Sequence, residues 1–300
     1  MKKMILFALL VIFGMNVNAG INTTDSLCTE ETAETLKSDS VNLFLLRGLT
    51  RESGHWGPRF IEELKKNVPY ARIYMLDLPG SGKYVNESAS WNVKDMVDFM
   101  RKDVLQILES KTGDNIICAT SLGGMLACEW VLNYKNDFQG MVIINSSFKK
   151  ICKLKERVQK GVRKDMLKVM LAKKTEEREK IIVRINSNHP ENYDSVACAW
   201  IDIQNERKMS KINILKQSIA GMRYSTKGRI PEVPLLIIGS KGDRMVCKEC
   251  VEKTQAAFGG TLVWHPDAGH GLPIDDPKWL SEQIALWYSG TYSKEILARK

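Results

Sequence analysis

Six short, nearly continuous apolar runs punctuate the chain: VNLFLL at 41–46, ARIYMLD at 71–77, NIICAT at 115–120, MVIIN at 141–145, PLLIIGS at 234–240 and TLVWH at 261–265. Each is bounded by turn residues and is short for a core helix. Each therefore predicts a strand buried on both faces, the habit of parallel sheets covered on either side. Between the runs the apolar period lengthens to that of a helix. Val93, Met96, Val97, Met100, Val104, Leu105 and Leu108 fall on one stripe. Leu122–Tyr134, Val246–Phe258 and Lys278–Tyr288 are further helix candidates. The alternation predicts an α/β fold, a mostly parallel central sheet wound with helices through right-handed crossovers.

Between Ser146 and Pro231 the alternation stops. Ile151, Leu154, Val158, Val162, Met166 and Met170 recur at helical spacing, and more helical pattern follows, broken by NSNHPENY. Residues 146–230 therefore read as a helical cap inserted into an α/β core of residues 20–145 and 231–300. Insertions at the carboxyl ends of parallel strands lie where such sheets bind ligands. Residues 1–19 read as a signal peptide: Lys2 and Lys3, an apolar run from Met4 to about Met15, and small residues at Val17 and Ala19. That run falls short of the roughly 20 residues needed to span a bilayer. Export to the periplasm or medium after cleavage near Ala19, with no transmembrane span in the mature chain, is the expectation.

Charge separates the insertion from the rest. From Lys149 to Arg229 there are 21 Lys and Arg against 9 Asp and Glu, in a chain of net charge +9. A solvated helical face accounts for this most simply; an anionic substrate or an anionic membrane surface is the second reading. No zinc-finger spacing or aromatic RNA-binding pattern accompanies it, so no nucleic-acid partner is expected. The cysteines are 28, 118, 128, 152, 198, 247 and 250. Cys118 and Cys128 sit in apolar stretches and read as core residues. Cys247 and Cys250 form CKEC, which reads as a local disulfide or as two free thiols. No second ligand pair supports zinc there, and no metal site is expected.

The strand ends carry the chemistry. After 115–119 the chain reads TSLGGM; after 234–239, SKGDRMV; after 261–265, PDAGHGLP. A serine on a sharp strand-to-helix turn needs small neighbours two residues before and after, and Ala119 and Gly123 are those neighbours of Ser121. The Leu122 N–H then begins a helix, where free donors favour negative charge. Serine is too weakly acidic to attack unaided, so a histidine must take its proton and a carboxylate must orient the histidine. His270, in a glycine-flanked loop, and Asp243, just past a strand, are the candidates. Asp243 also reads as a helix N-cap, and Asp267 and Asp275 compete for its role. Of the other histidines, His265 reads as a buried strand-end residue and His189 lies in the insertion. His55, with Trp56, lies in a pocket-lining or surface loop.

In Ser121, Asp243, His270 order, together with Arg47-Gly48-Leu49, DLPGSG, ATSLGG, GSKGDRMV and AGHGLP, the chain resembles the α/β-hydrolase superfamily over roughly residues 40–290. The resemblance implies a serine hydrolase with a helical cap, cleaving a carboxylic ester of a small acyl substrate through an acyl-enzyme, with no cofactor. It implies backbone oxyanion donors at Leu122 and Leu49. Thioester, lactone or amide hydrolysis, acyl transfer, or a non-catalytic binding role would use the same fold. Ala119 and Arg47 stand where the family has glycine and often histidine. The family's N-terminal strand hairpin reads as short or missing in residues 21–40. A serine at 121 argues against epoxide hydrolase and dehalogenase chemistry, which need aspartate there. DLPGSG lacks the glycine spacing of a dinucleotide fingerprint.

Overall fold

A computed structural model describes residues 41–110 and 113–292. The signal peptide expected over residues 1–19, the N-terminal hairpin region and Cys28 lie outside the described residues. Six strands form one sheet: β1 (Val41–Leu46), β2 (Ala71–Leu76), β3 (Asp114–Thr120), β4 (Gly140–Ile144), β5 (Leu235–Ser240) and β6 (Thr261–His265). Their order is β2-β1-β3-β4-β5-β6, and every neighbouring pair is parallel. Each boundary falls within a residue of the apolar run that predicts it. Parallel register brings the carboxyl ends together, with Leu46 beside Ala119, Thr120 beside Ile144, and Ser240 beside His265.

Side chains alternate between two apolar layers. Phe44, Leu46, Ile117 and Ala119 point to one face of the sheet, and Leu43, Leu45, Ile116 and Cys118 to the other. The first face is covered by α2 (Val93–Glu109), α3 (Leu122–Asn133) and α9 (Lys248–Phe258). The second is covered by α1 (Pro58–Asn67) and, packed beside it, α11 (Pro277–Leu286); the one-turn α10 (Leu272–Asp275) precedes α11. Helix α2 buries Val93, Met96, Val97, Met100, Val104 and Leu108 of the expected stripe, and Asn92 caps it by accepting the Asp95 N–H at 2.8 Å. Every residue of α3 from Leu122 to Val131 is buried, as an all-round apolar helix requires. Helix α9 begins at Lys248, two residues later than expected. Asp243 is thus no helix cap: its Oδ1 closes a turn by accepting the Met245 and Val246 N–H groups at 2.7 and 3.0 Å.

Between β4 and β5 run α4 (Leu154–Arg157), α5 (Lys160–Leu171), α6 (Thr175–Asn186), α7 (Tyr193–Glu206) and α8 (Lys211–Arg223). Helices α6 and α7 pack on each other around Val183, Ala197 and Trp200. The sequence stripe Ile151–Met170 divides at Val158–Gln159 into α4 and α5. Most of it does not reach the core, because α5 fully buries only Val162. The cysteine expectation is corrected here. Cys250 pairs with Cys152, 98 residues away, and Cys247 is free. CKEC does not close on itself because Cys250 turns inward from α9, fully buried, to meet Cys152 just before α4. Cys118 and Cys128 are buried free thiols, held protonated as burial pushes their pKa up to about 12.

Candidate active site

Ser121 joins β3 to α3 with φ 54° and ψ −119°, a left-handed backbone that L-residues rarely adopt. The surroundings over-determine it. The Ser121 N–H donates to Ile144 O at 2.9 Å, and Ser146 Oγ donates to Ser121 O at 2.9 Å. A Cβ on Gly123 would meet the carbonyls of Leu46 and Arg47 at 2.6 Å, and one on Gly124 would meet Ser146 Oγ at 2.0 Å. Two glycines therefore let α3 start hard against β1 and β4. Strain of this kind, about 1–3 kcal/mol, persists where a side chain must be held in one direction.

That direction is toward His270. Ser121 Oγ lies 2.9 Å from His270 Nε2, and His270 Nδ1 lies 2.7 Å from Asp243 Oδ2. Both His270 and Asp243 are buried. Of the competing carboxylates, Asp275 accepts the Gly269 and Asn188 N–H groups at 2.7 and 3.0 Å, and Asp267 is an exposed neighbour of His265. Neither meets His270. His265 is buried at the end of β6, accepting the Ala268 N–H at 2.9 Å and facing Asp276 at 3.3 Å. His189 pairs with Glu191 in the insertion.

Leu122 and Leu49 both border the cavity beside Ser121, and neither backbone N–H has a backbone acceptor among the described residues. The loop after β1 reaches Ser121 closely, since a Cβ on Gly48 would sit 3.0 Å from Ser121 Cβ. His55 and Trp56, farther along the same loop, form neither pocket wall nor surface; both are buried. Arg47 is buried too, 5.1 Å above the Trp56 ring, and burial with Arg51 nearby lowers its pKa to about 9. The same burial and the same arginines hold His55 well below its ordinary value. Arg51 binds Glu179 of α6 at 2.7 Å, and Glu52 binds Arg207, just past α7, at 2.8 Å. Asp77, after β2, accepts the Ser53 N–H at 2.7 Å.

Two asparagines escape notice in the sequence. Asn145, at φ 48°, ends β4 and ties three segments: Oδ1 accepts the Ser240 N–H at 2.9 Å, and Nδ2 donates to Ser240 Oγ at 3.0 Å and His270 O at 3.1 Å. Asn188, between α6 and α7, donates to Gly242 O at 2.9 Å and Asp267 O at 2.8 Å. They brace the loops carrying Asp243 and His270. The available signal was an asparagine at a strand end, a type that tolerates the left-handed region.

A cavity of about 260 Å³ opens at Ser121. Its walls are largely aliphatic, from α3, α4, α5, α6 and α8, with Leu122, Val158, Met166, Val169 and Ile214 among them. The charged residues bordering it are Arg47, Arg51 and Arg157; among the described residues no Asp or Glu lines it. Arg157 donates to the Gly221 and Met222 carbonyls at 2.7 and 2.9 Å. No group of three or more potential metal ligands occurs among the described residues.

A parallel sheet with a left-handed serine after its third strand, facing a histidine after its last, marks the α/β-hydrolase class of protein. Solved structures share the fold: an esterase from Rhodococcus sp. ECU1013 superimposes with a TM-score of 0.66 at 17% identity, covering 84% of this chain and 91% of that one. The sequence profile of the serine aminopeptidase family S33 matches residues 40–277, and the chain belongs to that family. A proline iminopeptidase from Elizabethkingia meningoseptica is 23% identical over 226 residues, 69% of this chain and 75% of the relative. A pimeloyl-[acyl-carrier protein] methyl ester esterase from Wigglesworthia glossinidia brevipalpis is 27% identical over 131 residues, 43% of this chain and 44% of the relative. The chain is thus a hydrolase by family, with peptidases and esterases among its relatives.

Proposed function

We propose that the protein is a serine hydrolase of carboxylic esters with an apolar acyl part, and that residues 146–230 act as the cap selecting that part. Ser121 Oγ attacks the acyl carbon while His270 Nε2 takes its proton. Asp243 holds the ring and offsets its charge. The developing oxyanion receives the Leu122 N–H and, from the loop after β1, the Leu49 N–H. Collapse breaks the ester bond, and His270 returns the proton to the leaving alkoxide. Water, deprotonated by His270, then attacks the acyl-enzyme; the acid leaves and Ser121 regains its proton. The observation that carries this reading is the hydrogen-bond relay at 2.9 and 2.7 Å from the strained serine to a buried carboxylate.

The cavity wall favours esters over the amino-terminal peptides that the family name suggests. A free α-ammonium needs a carboxylate partner inside the site, and the bordering charges are arginines. The Cys152–Cys250 bridge supports the further reading that the chain works in an oxidising compartment after export. A fluorophosphonate probe should label the protein at Ser121, and p-nitrophenyl esters should be turned over with a preference for apolar acyl chains. Ser121→Ala should lower kcat/KM by about 10³-fold or more. Unchanged ester turnover in that variant refutes the nucleophile. A folded protein that neither labels nor turns over esters is a binding protein instead.

A further inference from the structure

The cavity opens onto a surface that is at once apolar and cationic. Leu154, Met170 and Met222 line the cavity and are also 61%, 68% and 51% exposed, so they form its mouth. From the mouth the apolar surface continues outward along α5 through Leu167 and Leu171, themselves 56% and 69% exposed. Single exposed leucines are ordinary; a contiguous group around the opening of an apolar cavity is not.

The charges around that group share one sign. Residues 160–174 contain Lys160, Arg163, Lys164, Lys168, Lys173 and Lys174 against the single acid Asp165. Asp165 pairs with Lys168, and the next acid along the chain, Glu176, pairs with Lys180. Lys160, Arg163, Lys164, Lys173 and Lys174 make no ion pair among the described residues, with Glu177 the nearest acid in sequence left unpaired. Five of the six cations are lysines, and none of the exposed apolar groups named is aromatic. Protein interfaces are depleted in lysine and enriched in aromatic side chains and arginine, whereas lysine-rich amphipathic helices suit a fluid anionic headgroup layer.

We propose that α5 and the cavity mouth dock on an anionic lipid surface, so that the ester reaches Ser121 from the membrane rather than from solution. The lysines meet the headgroups, Leu167, Met170 and Leu171 enter the boundary of the acyl region, and the apolar cavity continues that environment inward to the nucleophile. The substrate class this adds is a membrane-partitioned acyl ester, an inference that rests on the hydrolase reading, whereas the docking itself does not.

The test is sedimentation of the full chain carrying Ser121→Ala, which prevents turnover, with lipid vesicles. Vesicles with about 30 mol% phosphatidylglycerol should bind it at least ~10-fold more tightly than vesicles of phosphatidylcholine alone, and salt near 0.5 M should largely abolish the difference. The double variant Leu167→Ser with Leu171→Ser, at positions outside the cavity, should weaken vesicle binding about 10-fold while a short water-soluble ester is hydrolysed as before. Lys173→Glu with Lys174→Glu should reduce the preference for anionic vesicles. Equal binding to neutral and anionic vesicles, or an unchanged leucine variant, overturns the proposal. Binding to an acidic protein without binding to vesicles overturns it also, and gives the face to a protein partner. Vesicle binding without hydrolysis of any ester by the unsubstituted chain would instead sink the hydrolase reading and leave the docking standing.

Discussion

Asn145 offers the sharpest test of how the site is held. Its side chain is almost fully buried, accepts the Ser240 N–H and donates to Ser240 Oγ and His270 O at 2.9, 3.0 and 3.1 Å. Asn145→Ala strands at least the Ser240 N–H and the His270 carbonyl. A buried group left without its partner costs about 1–3 kcal/mol, so the pair costs about 2–6 kcal/mol. Alanine must also keep φ 48°, which adds about 1 kcal/mol; Asn145→Gly loses the same bonds without that strain. Urea unfolding should therefore place the alanine variant about 3–7 kcal/mol below the parent and the glycine variant about 1 kcal/mol less affected. Because the His270 carbonyl is released, the imidazole shifts. On the proposed mechanism kcat should fall by up to about 100-fold with little change in KM. A folded Asn145→Ala protein within about 1 kcal/mol of the parent would show that these bonds do not brace the loop.

Further outcomes follow from the bridge and from His55. Reducing Cys152–Cys250 opens a constraint over 98 residues and should lower stability by about 3–5 kcal/mol, read as a fall in Tm with a phosphine reductant. His55 is buried with its pKa held below the ordinary 6.5 by burial and by Arg51 and Arg47, and its Nδ1 accepts the Glu52 N–H. Below pH 6.5 the unfolded chain takes up a proton there that the folded chain refuses. Stability contributed by the neutral ring is thus present above pH 6.5 and is lost as pH falls toward the folded value. Replacing it by asparagine should flatten stability against pH just below 6.5 by up to ~1.4 kcal/mol per pH unit; an unchanged slope refutes the assignment.

Burial on both faces made the four inner strands legible. The edge strands β2 and β6, though half-exposed rather than buried as expected, keep enough of the apolar run to be read too. Six apolar runs became six parallel strands, each within a residue of its expected bounds. The residues at their carboxyl ends could be ordered from sequence, and the fold brings Ser121, His270 and Asp243 into one hydrogen-bonded line. The insertion was less legible. Leu154, Val158, Met166 and Met170 show helical spacing, but periodicity identifies a face without saying what lies against it, and here it is cavity and solvent. Cys152 could not be matched to Cys250 because the sequence does not show which helices meet. Asn145 and Asn188 passed unnoticed because a bracing amide leaves no pattern in its own neighbourhood; its partners lie up to 125 residues away.

The way α5 is fastened bears on time as well as shape. At its start Gln159 is bonded to the Asp243 and Met245 carbonyls, and Cys152 is bridged to α9; beyond its end, Glu179 is locked to Arg51. Anchors on both sides oppose a lid-like swing of the helix. The aperture is then governed by rotation of flexible thioether side chains at its rim, Met170 and Met222 above all, which turn over within nanoseconds where exposed. Progress curves should accordingly start without a lag, and chemistry or product departure, rather than opening, should set the pace.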